Sequence, residues 1–146
     1  MSTRSDVAMK AGDNAYKTVY CHWDGYLSYN GVLLYEIYNT KEMVEKLLDL
    51  GCISSLKEKL YPEEGSKHCF ETPDKDVTVF YGRDRGEKDQ EAVILTKEQL
   101  TDPHSWIEYI YVFDNGKWQY SELENDGFGD FKPLAPAIAK IQQGGN

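Results

Sequence analysis

Apolar and polar residues alternate at the start of the chain in a way that predicts a β-hairpin. Two β-rich runs, RSDVAMK and AYKTVYCHW, are separated by GDN, whose residues tolerate the left-handed backbone of a short loop. Side chains alternate along a strand, so Cys21 and His22 point to opposite faces of the second run. Only one of these faces can belong to the core.

The next apolar positions follow a helical period. VLLYEIY and, after Asn39, TKEMVEKLLDL predict a helix in two parts, the second with one apolar stripe. Asn39 is the predicted cap of the second part, paired with Glu42, and Gly51 suits the left-handed residue that ends it. Ser55 repeats the start signal before LKEKLY and predicts another short helical turn, which Pro62 closes.

Residues 62–76 are rich in Pro, Glu, Gly, Lys and Asp, which predicts a long surface loop. Two further strands are predicted from DVTVFYG and EAVILT, which lie on either side of the charged turn GRDRGEKDQ. Thr96 and Gln99 form a capping box for a brief helix, which Asp102 and Pro103 end.

The strongest local signal is an Asn-Gly pair between two aromatic, alternating runs. Asn115-Gly116 between IEYIYVF and KWQYSEL predicts a tight hairpin. In the final segment Leu134, Ile138 and Ile141 have helical spacing, and the predicted helix frays over residues 143–146.

These elements predict an α+β fold in a single domain over residues 1–146. It consists mainly of antiparallel β-hairpins, about six strands, with a central two-part helical insert and a short C-terminal helix. A length of 146 residues fits one domain, and 40% hydrophobic residues suffice for a packed core. No run is long and apolar enough for a membrane span, and the start lacks the apolar core of a signal peptide, so we expect a cytoplasmic protein.

The chain is strongly acidic, and most of the excess lies in its second half. The net charge is −9, and residues 61–146 carry 17 acidic but only 9 basic side chains. Such a chain is repelled by nucleic acid and by anionic lipid, so neither is an expected partner. The acidic surface either keeps the protein in solution or imitates nucleic acid for a nucleic-acid-binding target, although the interspersed Lys and Arg argue against imitation.

The cysteines do not indicate disulfides. Cys21, Cys52 and Cys69 are odd in number and lack paired spacing, which favours a reducing compartment. Cys21-His22 and His68-Cys69 supply ligands of the kinds that zinc prefers, but adjacent ligands on a strand point apart, so we expect no metal and no cofactor. Cys21 is better explained as a buried thiol than as a nucleophile.

The densest group of reactive side chains is YCHWDGY, residues 20–26. His22 and Asp24 are two residues apart on the same predicted face, so they either pair to end the strand or form a catalytic pair. Trp23 and Tyr26 beside them suit stacking on a planar group. Together with Arg4, these side chains could hold an anionic nucleotide.

Two other segments contain candidate sites. Arg83 and Arg85 in GRDRG could grip an anion, but a solvated hairpin turn explains them equally well. ELENDGFGD, residues 122–130, resembles the first part of an EF-hand loop, but Pro133 stands where the bidentate glutamate is needed, which argues against calcium.

Several segments together resemble a family of small uncharacterised proteins of tailed bacteriophages and prophages. They are TRS at residues 3–5, VYCHWDGYLSYNGVLLYEIYN, DLGCISSL and an aromatic hairpin like EYIYVFDNGKWQY. The resemblance covers about the first 60 residues well and carries no known activity. It implies a non-structural product of the infected bacterial cytoplasm that binds a host or defence component. The matching positions that suggest a shared site are Arg4, Ser5, His22, Trp23, Asp24 and Gly25.

Two functions of different classes follow. The first is a non-catalytic phage accessory protein that inhibits or redirects a host or defence protein, or binds its small anionic nucleotide signal. The second is an enzyme acting on a nucleotide-like substrate, with His22 as acid or base and Asp24 orienting it. The sequence also leaves open a homodimer formed through the edge of the aromatic hairpin. The candidate binding residues are Arg4, Ser5, His22, Trp23, Asp24, Tyr26, Arg83 and Arg85.

Overall fold

The computed structural model describes residues 2–144, which form one mixed β-sheet with helices on it. The strands are β1 (Arg4–Gly12), β2 (Ala15–Cys21), β3 (Ile53–Ser55), β4 (Val79–Phe80), β5 (Val93–Leu95), β6 (Ile107–Asp114), β7 (Lys117–Glu124), β8 (Gly127–Phe128) and β9 (Lys132–Pro133). The α-helices are α1 (Val32–Glu36), α2 (Lys41–Asp49), α3 (Lys97–Thr101) and α4 (Leu134–Gly144). A π-helical turn, Leu27–Gly31, leads into α1.

The predicted α+β single domain is confirmed, with more strands than expected. The sheet order is β4-β3-β2-β1-β6-β7-β8, with β5 beside β2 and β9 beside β7. The described residues form nine strands, whereas about six were expected, because β3, β8 and β9 are only two or three residues long and leave no periodic signal. The central pair, β1 and β6, is parallel, so the sheet is not built from hairpins alone.

Apolar clusters cover both faces of the sheet. The larger cluster joins one face to α1, α2 and α4, and it includes Val7, Val19, Leu34, Leu47, Tyr111 and Ile138. The smaller cluster lies on the other face under α3, and it includes Ala8, Leu100, Ile107, Ile110 and Val112. Because β1 is buried on both faces, polar side chains there are enclosed as well, and Asp6 is 4% exposed.

Helix α2 begins one residue later than predicted. Its cap is Thr40, whose hydroxyl accepts from the Met43 N–H, while the Asn39 amide instead donates to the Glu36 carbonyl, 3.2 Å away. Thr40 has the extended backbone that a cap needs. The end of the helix is as predicted, because Gly51 follows with φ +90°.

The helical turn predicted over LKEKLY is wrong. This segment follows β3 and runs beside residues 77–78, where Lys59 forms a β-bridge with Val77. The Lys57 N–H donates to the Thr78 hydroxyl, 2.9 Å away, so its backbone is satisfied without a helix. Leu56 and Leu60 are four residues apart and both buried, a spacing that imitates a helical stripe.

The other local predictions are confirmed. The hairpin between β6 and β7 turns at Asn115 and Gly116, which have φ of 53° and 78°. Thr96 and Gln99 form the capping box of α3, and residues 62–76 contain no helix or strand. α4 continues through Gly144, so residues 143–144 of the predicted frayed tail are helical. Residues 145–146 of that tail lie outside the described part.

The outer edge of the aromatic hairpin is not free for a second copy. Within the described part of the chain, β7 pairs with β6 on one side and with both β8 and β9 on the other. The edge that the sequence left open for a second copy is therefore occupied in part by these two short strands of the same chain. In residues 2–144 no helix is both long enough and apolar enough to cross a membrane.

Candidate functional site

The candidate site lies on the face of the sheet that α3 covers, where polar side chains of β1 and β2 meet. Asp6 on β1 stands opposite Tyr20 on β2 in the antiparallel register, so both side chains point to this face. Arg4 precedes Asp6 by two residues and shares its face for the same reason. The alternation of two adjacent strands thus places three polar groups together.

A carboxylate–imidazole pair is the most buried part of the site. Oδ2 of Asp6 lies 2.6 Å from Nε2 of His104, and Nδ1 of His104 lies 2.5 Å from the Asp102 carbonyl oxygen. Both ring nitrogens face acceptors, so the imidazole needs both of its protons. The hydrogen bond to Asp6 raises the pKa of His104 to about 9, whereas burial raises the pKa of Asp6 and His104 opposes that rise.

His104 holds a loop with an unusual backbone, residues 102–106, which we call the Trp106 loop. Ser105 and Trp106 have φ of 52° and 62°, and consecutive left-handed residues other than glycine are rare and strained. The Trp106 side chain is 83% exposed, more than any other large apolar side chain of the described residues. The loop therefore presents an indole to solvent from a fixed base.

A second hydrogen-bonded group lies beside the first. Nε of Arg4 donates to the Tyr20 hydroxyl over 3.0 Å, and that hydroxyl lies within hydrogen-bond distance of Nδ1 of His22, at 2.7 Å. Burial lowers the pKa of His22, and the nearby Arg4 charge lowers it further. Trp23 packs edge-on against the imidazole, with ring centroids 4.6 Å apart.

An open pocket of about 400 Å³ lies between the Asp6–His104 pair and β5, and we call it the His104 pocket. Its apolar wall includes Val93 and Leu95 of β5. Its charged groups are three carboxylates, Asp6, Asp89 and Glu91, and a single cation, His104. The remaining lining residues are Thr18, Val19, Tyr20, Cys52 and Ser105.

Cys21 and Cys52 are poor nucleophiles in this structure. Cys21 is fully buried, and burial raises the pKa of its thiol to about 12, as the sequence led us to expect of an inert thiol. Cys52 lines the His104 pocket, and burial also raises its pKa. Among residues 2–144 no three His, Cys, Asp or Glu side chains are arranged to hold a metal ion.

The structure does not pair His22 with Asp24. Strand β2 ends at Cys21, and Asp24 has φ 56°, so the alternation that would place the two side chains together is lost. Asp24 instead accepts a hydrogen bond from the Tyr26 hydroxyl, 3.1 Å away. The proposed acid–base pair is therefore not assembled.

Other candidate residues of the first strands serve packing. Ser5 is fully buried and accepts from the Asn30 amide over 3.3 Å. The Gly25 N–H donates to the Thr3 carbonyl over 2.8 Å, and a Cβ on Gly25 would lie 2.8 Å from Cβ of Ser5. This close approach explains why a glycine stands at position 25. The contacts among Thr3, Ser5 and Gly25 are therefore explained by packing alone.

The two arginines of the GRDRG turn are already engaged. Arg83 donates to the Leu60 carbonyl over 2.6 Å and to the Thr78 carbonyl over 3.0 Å, and it pairs with Asp84. Arg85 pairs with Glu87 over 2.9 Å and lies over the Phe70 ring. The strands on either side of the turn do not pair with each other, so it is not a hairpin turn. Arg83 links residues 60, 78 and 84, whereas the Arg85 side chain stays about half exposed.

Sequence reasoning missed Asp6 and Trp106. A carboxylate in the middle of an otherwise apolar strand is a signal that a partner is buried with it, and Asp6 in SDVAM is such a case. Trp106 follows the end of α3 at Asp102-Pro103, but nothing in the sequence predicts its exposure. The EF-hand-like segment, residues 122–130, contains the end of β7, the turn that follows it and the short strand β8.

Comparisons with models of known protein families, with curated proteins and with solved structures found no match to this chain.

Proposed function

We propose that this chain is a non-catalytic binding protein whose partner docks on the Trp106 loop and the adjoining His104 pocket. The observation that carries the proposal is an indole that is 83% exposed on a loop tied to the sheet by the Asp6–His104 ion pair. Tryptophan is enriched at the energetic centres of protein interfaces, and a rigid base lowers the entropy lost on binding.

The charge of the His104 pocket supports a protein partner over an anionic ligand at this place. Three carboxylates against one imidazolium give the pocket a negative balance, which repels a phosphate group. The exposed side of Val93, which is 54% accessible, extends the apolar surface beside the pocket. Exposed apolar area with an acidic rim suits a protein surface that carries basic residues.

The resemblance of the first 60 residues to phage and prophage proteins supports the choice of partner. On that basis the partner is a host or defence protein of the infected bacterial cytoplasm, and binding inhibits or redirects it. The absence of an assembled His22–Asp24 pair supports binding over catalysis.

The test is capture of the partner with matched variants. We expect tagged wild-type protein to retain a stoichiometric partner from bacterial lysate, and a photoreactive residue at position 106 to cross-link to it. Trp106→Ala should lose the complex when binding is measured again with the purified partner. Tyr61→Ala, which removes an aromatic ring that is 56% exposed and lies outside the His104 pocket lining, should keep the complex. Equal affinity of the Trp106→Ala and wild-type proteins would overturn the docking surface.

A second candidate function is supported by the Arg4–Tyr20–His22 group. Arg4, His22 and Trp23 are brought together by the 3.0, 2.7 and 4.6 Å contacts described above, which supplies a cation and an aromatic plane for a small anionic nucleotide. Tyr26 does not join this group, because it contacts Asp24 and Tyr29. Nucleotide that is released from wild-type protein on heating but absent from Arg4→Gln and His22→Ala would support this candidate. Turnover that His22→Ala abolishes in a folded protein would indicate an enzyme.

A further inference from the structure

Strand β5 has an open edge, unlike the ends of the sheet. Among residues 2–144 its backbone pairs with β2 alone, and no other backbone hydrogen bond reaches Val93, Ile94 or Leu95. At β4, by contrast, the Asp84 carboxylate accepts from the Phe80 N–H over 2.9 Å, and Arg83 donates to the Thr78 carbonyl. The other end of the sheet is closed by two short strands, one of which contains Pro133.

The side chains of β5 are also unusual for a free edge. Val93 is 54% exposed and Ile94 is 61% exposed, and because they are neighbours on a strand they point to opposite faces. Soluble proteins usually protect an open edge by keeping the strand short or by placing charged residues, proline or a bulge in it. β5 has only three residues, but all of them are apolar and two are exposed, which favours cover by another strand.

The sequence around β5 is complementary to itself in the antiparallel direction. If Ile94 stands opposite Ile94 of a second copy, Val93 stands opposite Leu95. Glu91 precedes the strand and Lys97 follows it as the first residue of α3, so the two charges face each other just beyond the paired residues. Glu91 and Lys97 form no ion pair within the described residues. The antiparallel register thus brings together two pairs of opposite charges, whereas a parallel register would place like charges together.

We propose that two copies of this chain pair through β5 and join their sheets into one. Antiparallel pairing relates the copies by a two-fold axis perpendicular to the sheet, so corresponding faces lie on the same side. Val93 and Leu95 line the His104 pocket, so the two pockets become neighbours on one face of the dimer. The dimer itself does not depend on the proposed function, but if that function holds, the dimer presents two docking surfaces side by side.

The test is the mass of the protein in solution, measured by sedimentation equilibrium up to about 1 mM, which reaches even weak association. Wild-type protein should be a dimer in equilibrium with monomer. Ile94→Lys should be monomeric while keeping the circular dichroism spectrum and melting behaviour of the wild type. A wild-type protein that stays monomeric throughout, or an Ile94→Lys protein that dimerises as the wild type does, would overturn the proposal.

Charge reversal tests the register. Glu91→Lys and Lys97→Glu each place like charges together, so each should weaken the dimer by about tenfold or more. The double variant restores opposite charges at both positions and should recover the wild-type dissociation constant. Failure of the double variant to recover it would refute antiparallel pairing centred on Ile94. None of these outcomes depends on a partner protein, so failure here is distinguishable from failure of the docking surface.

Discussion

The Asp6 carboxylate and the His104 imidazole lie 2.6 Å apart although 98 residues separate them in the chain. Asp6 is on the central strand and His104 is in the connection from α3 to β6, so the pair ties the Trp106 loop to the middle of the sheet. Because Asp6 is almost fully buried, losing the charge of either partner leaves the other uncompensated. The contact therefore links the stability of the fold to the position of the exposed indole.

The first prediction is a loss of stability at alkaline pH. The pKa of His104 is about 9 in the folded protein and 6.5 by reference, so its contribution is complete below pH 6.5 and disappears as the pH rises through 9. The imidazole is partly exposed, so we expect a decrease of only about 1 to 2 kcal/mol in the free energy of unfolding. Urea titrations at intervals across this range measure it. The His104→Gln protein should be less stable than the wild type at pH 6.5, and its free energy of unfolding should change less between pH 6.5 and 9. The same pH dependence in both proteins would contradict the Asp6–His104 pairing.

The second prediction concerns the titration of the histidines themselves. In nuclear magnetic resonance spectra His104 should titrate near pH 9, and His22 should titrate below the ordinary value of 6.5 because of burial and Arg4. Asp6→Asn should return the His104 titration toward its ordinary range and leave that of His22 unchanged. The chain has three histidines, so single His→Gln variants assign each signal. A His104 that titrates near 6.5 in the wild type would exclude the ion pair.

The sequence was informative where structure depends on neighbouring residues. The Asn115-Gly116 turn, the Thr96 capping box and the Gly51 helix end each require only residues a few positions apart, and all three are present. The LKEKLY segment shows the limit, because its leucine spacing fits a helix equally well until the strand at residues 77–80 supplies its hydrogen bonds.

The candidate site depends on pairings that no local pattern encodes. Strand β1 lies parallel to β6, about one hundred residues later, and that pairing brings the connection carrying His104 beside Asp6. The sequence pattern pointed to Arg4 and His22 as site residues. It also indicated Asp24 as the partner of His22, because the strand was expected to continue past Cys21, where β2 in fact ends. A single left-handed residue at Asp24 was enough to break that expectation.

The third prediction separates the exposed indole from the buried one. Trp106→Ala should change the free energy of unfolding by no more than about 0.5 kcal/mol, because an 83% exposed side chain has little packing to lose. Trp118 is only 5% exposed, and its indole N–H donates to the Tyr38 carbonyl over 2.8 Å. Trp118→Ala should therefore lower the free energy of unfolding by about 3 to 5 kcal/mol. Acrylamide quenching provides the second readout, since Trp106→Ala should remove the most accessible part of the fluorescence. Similar unfolding midpoints for the two variants would contradict this arrangement.

The fourth prediction tests whether Gly25 has a packing role. Gly25→Ala should destabilise the protein by about 1 to 3 kcal/mol, because its Cβ would lie 2.8 Å from Cβ of Ser5 and 2.9 Å from the Thr3 carbonyl oxygen. Gly12→Ala is the matched control, since its Cβ would meet its nearest neighbour at an ordinary 3.6 Å. Thermal unfolding of both variants measures the difference. A Gly25→Ala protein as stable as the control, but unable to bind its partner, would favour a binding role for this glycine.

The fifth prediction distinguishes structural arginines from an anion site. Arg83→Lys keeps the charge but cannot reproduce the donors to Leu60, Thr78 and Asp84 at once, so the free energy of unfolding should fall by about 1 to 3 kcal/mol. Arg85→Lys alters a more exposed ion pair with Glu87, and its cost should stay below about 1 kcal/mol. Urea unfolding compares the two variants. Neither substitution should affect capture of the partner, because neither arginine lines the His104 pocket. Normal stability with lost binding in both variants would instead restore the turn as an anion site.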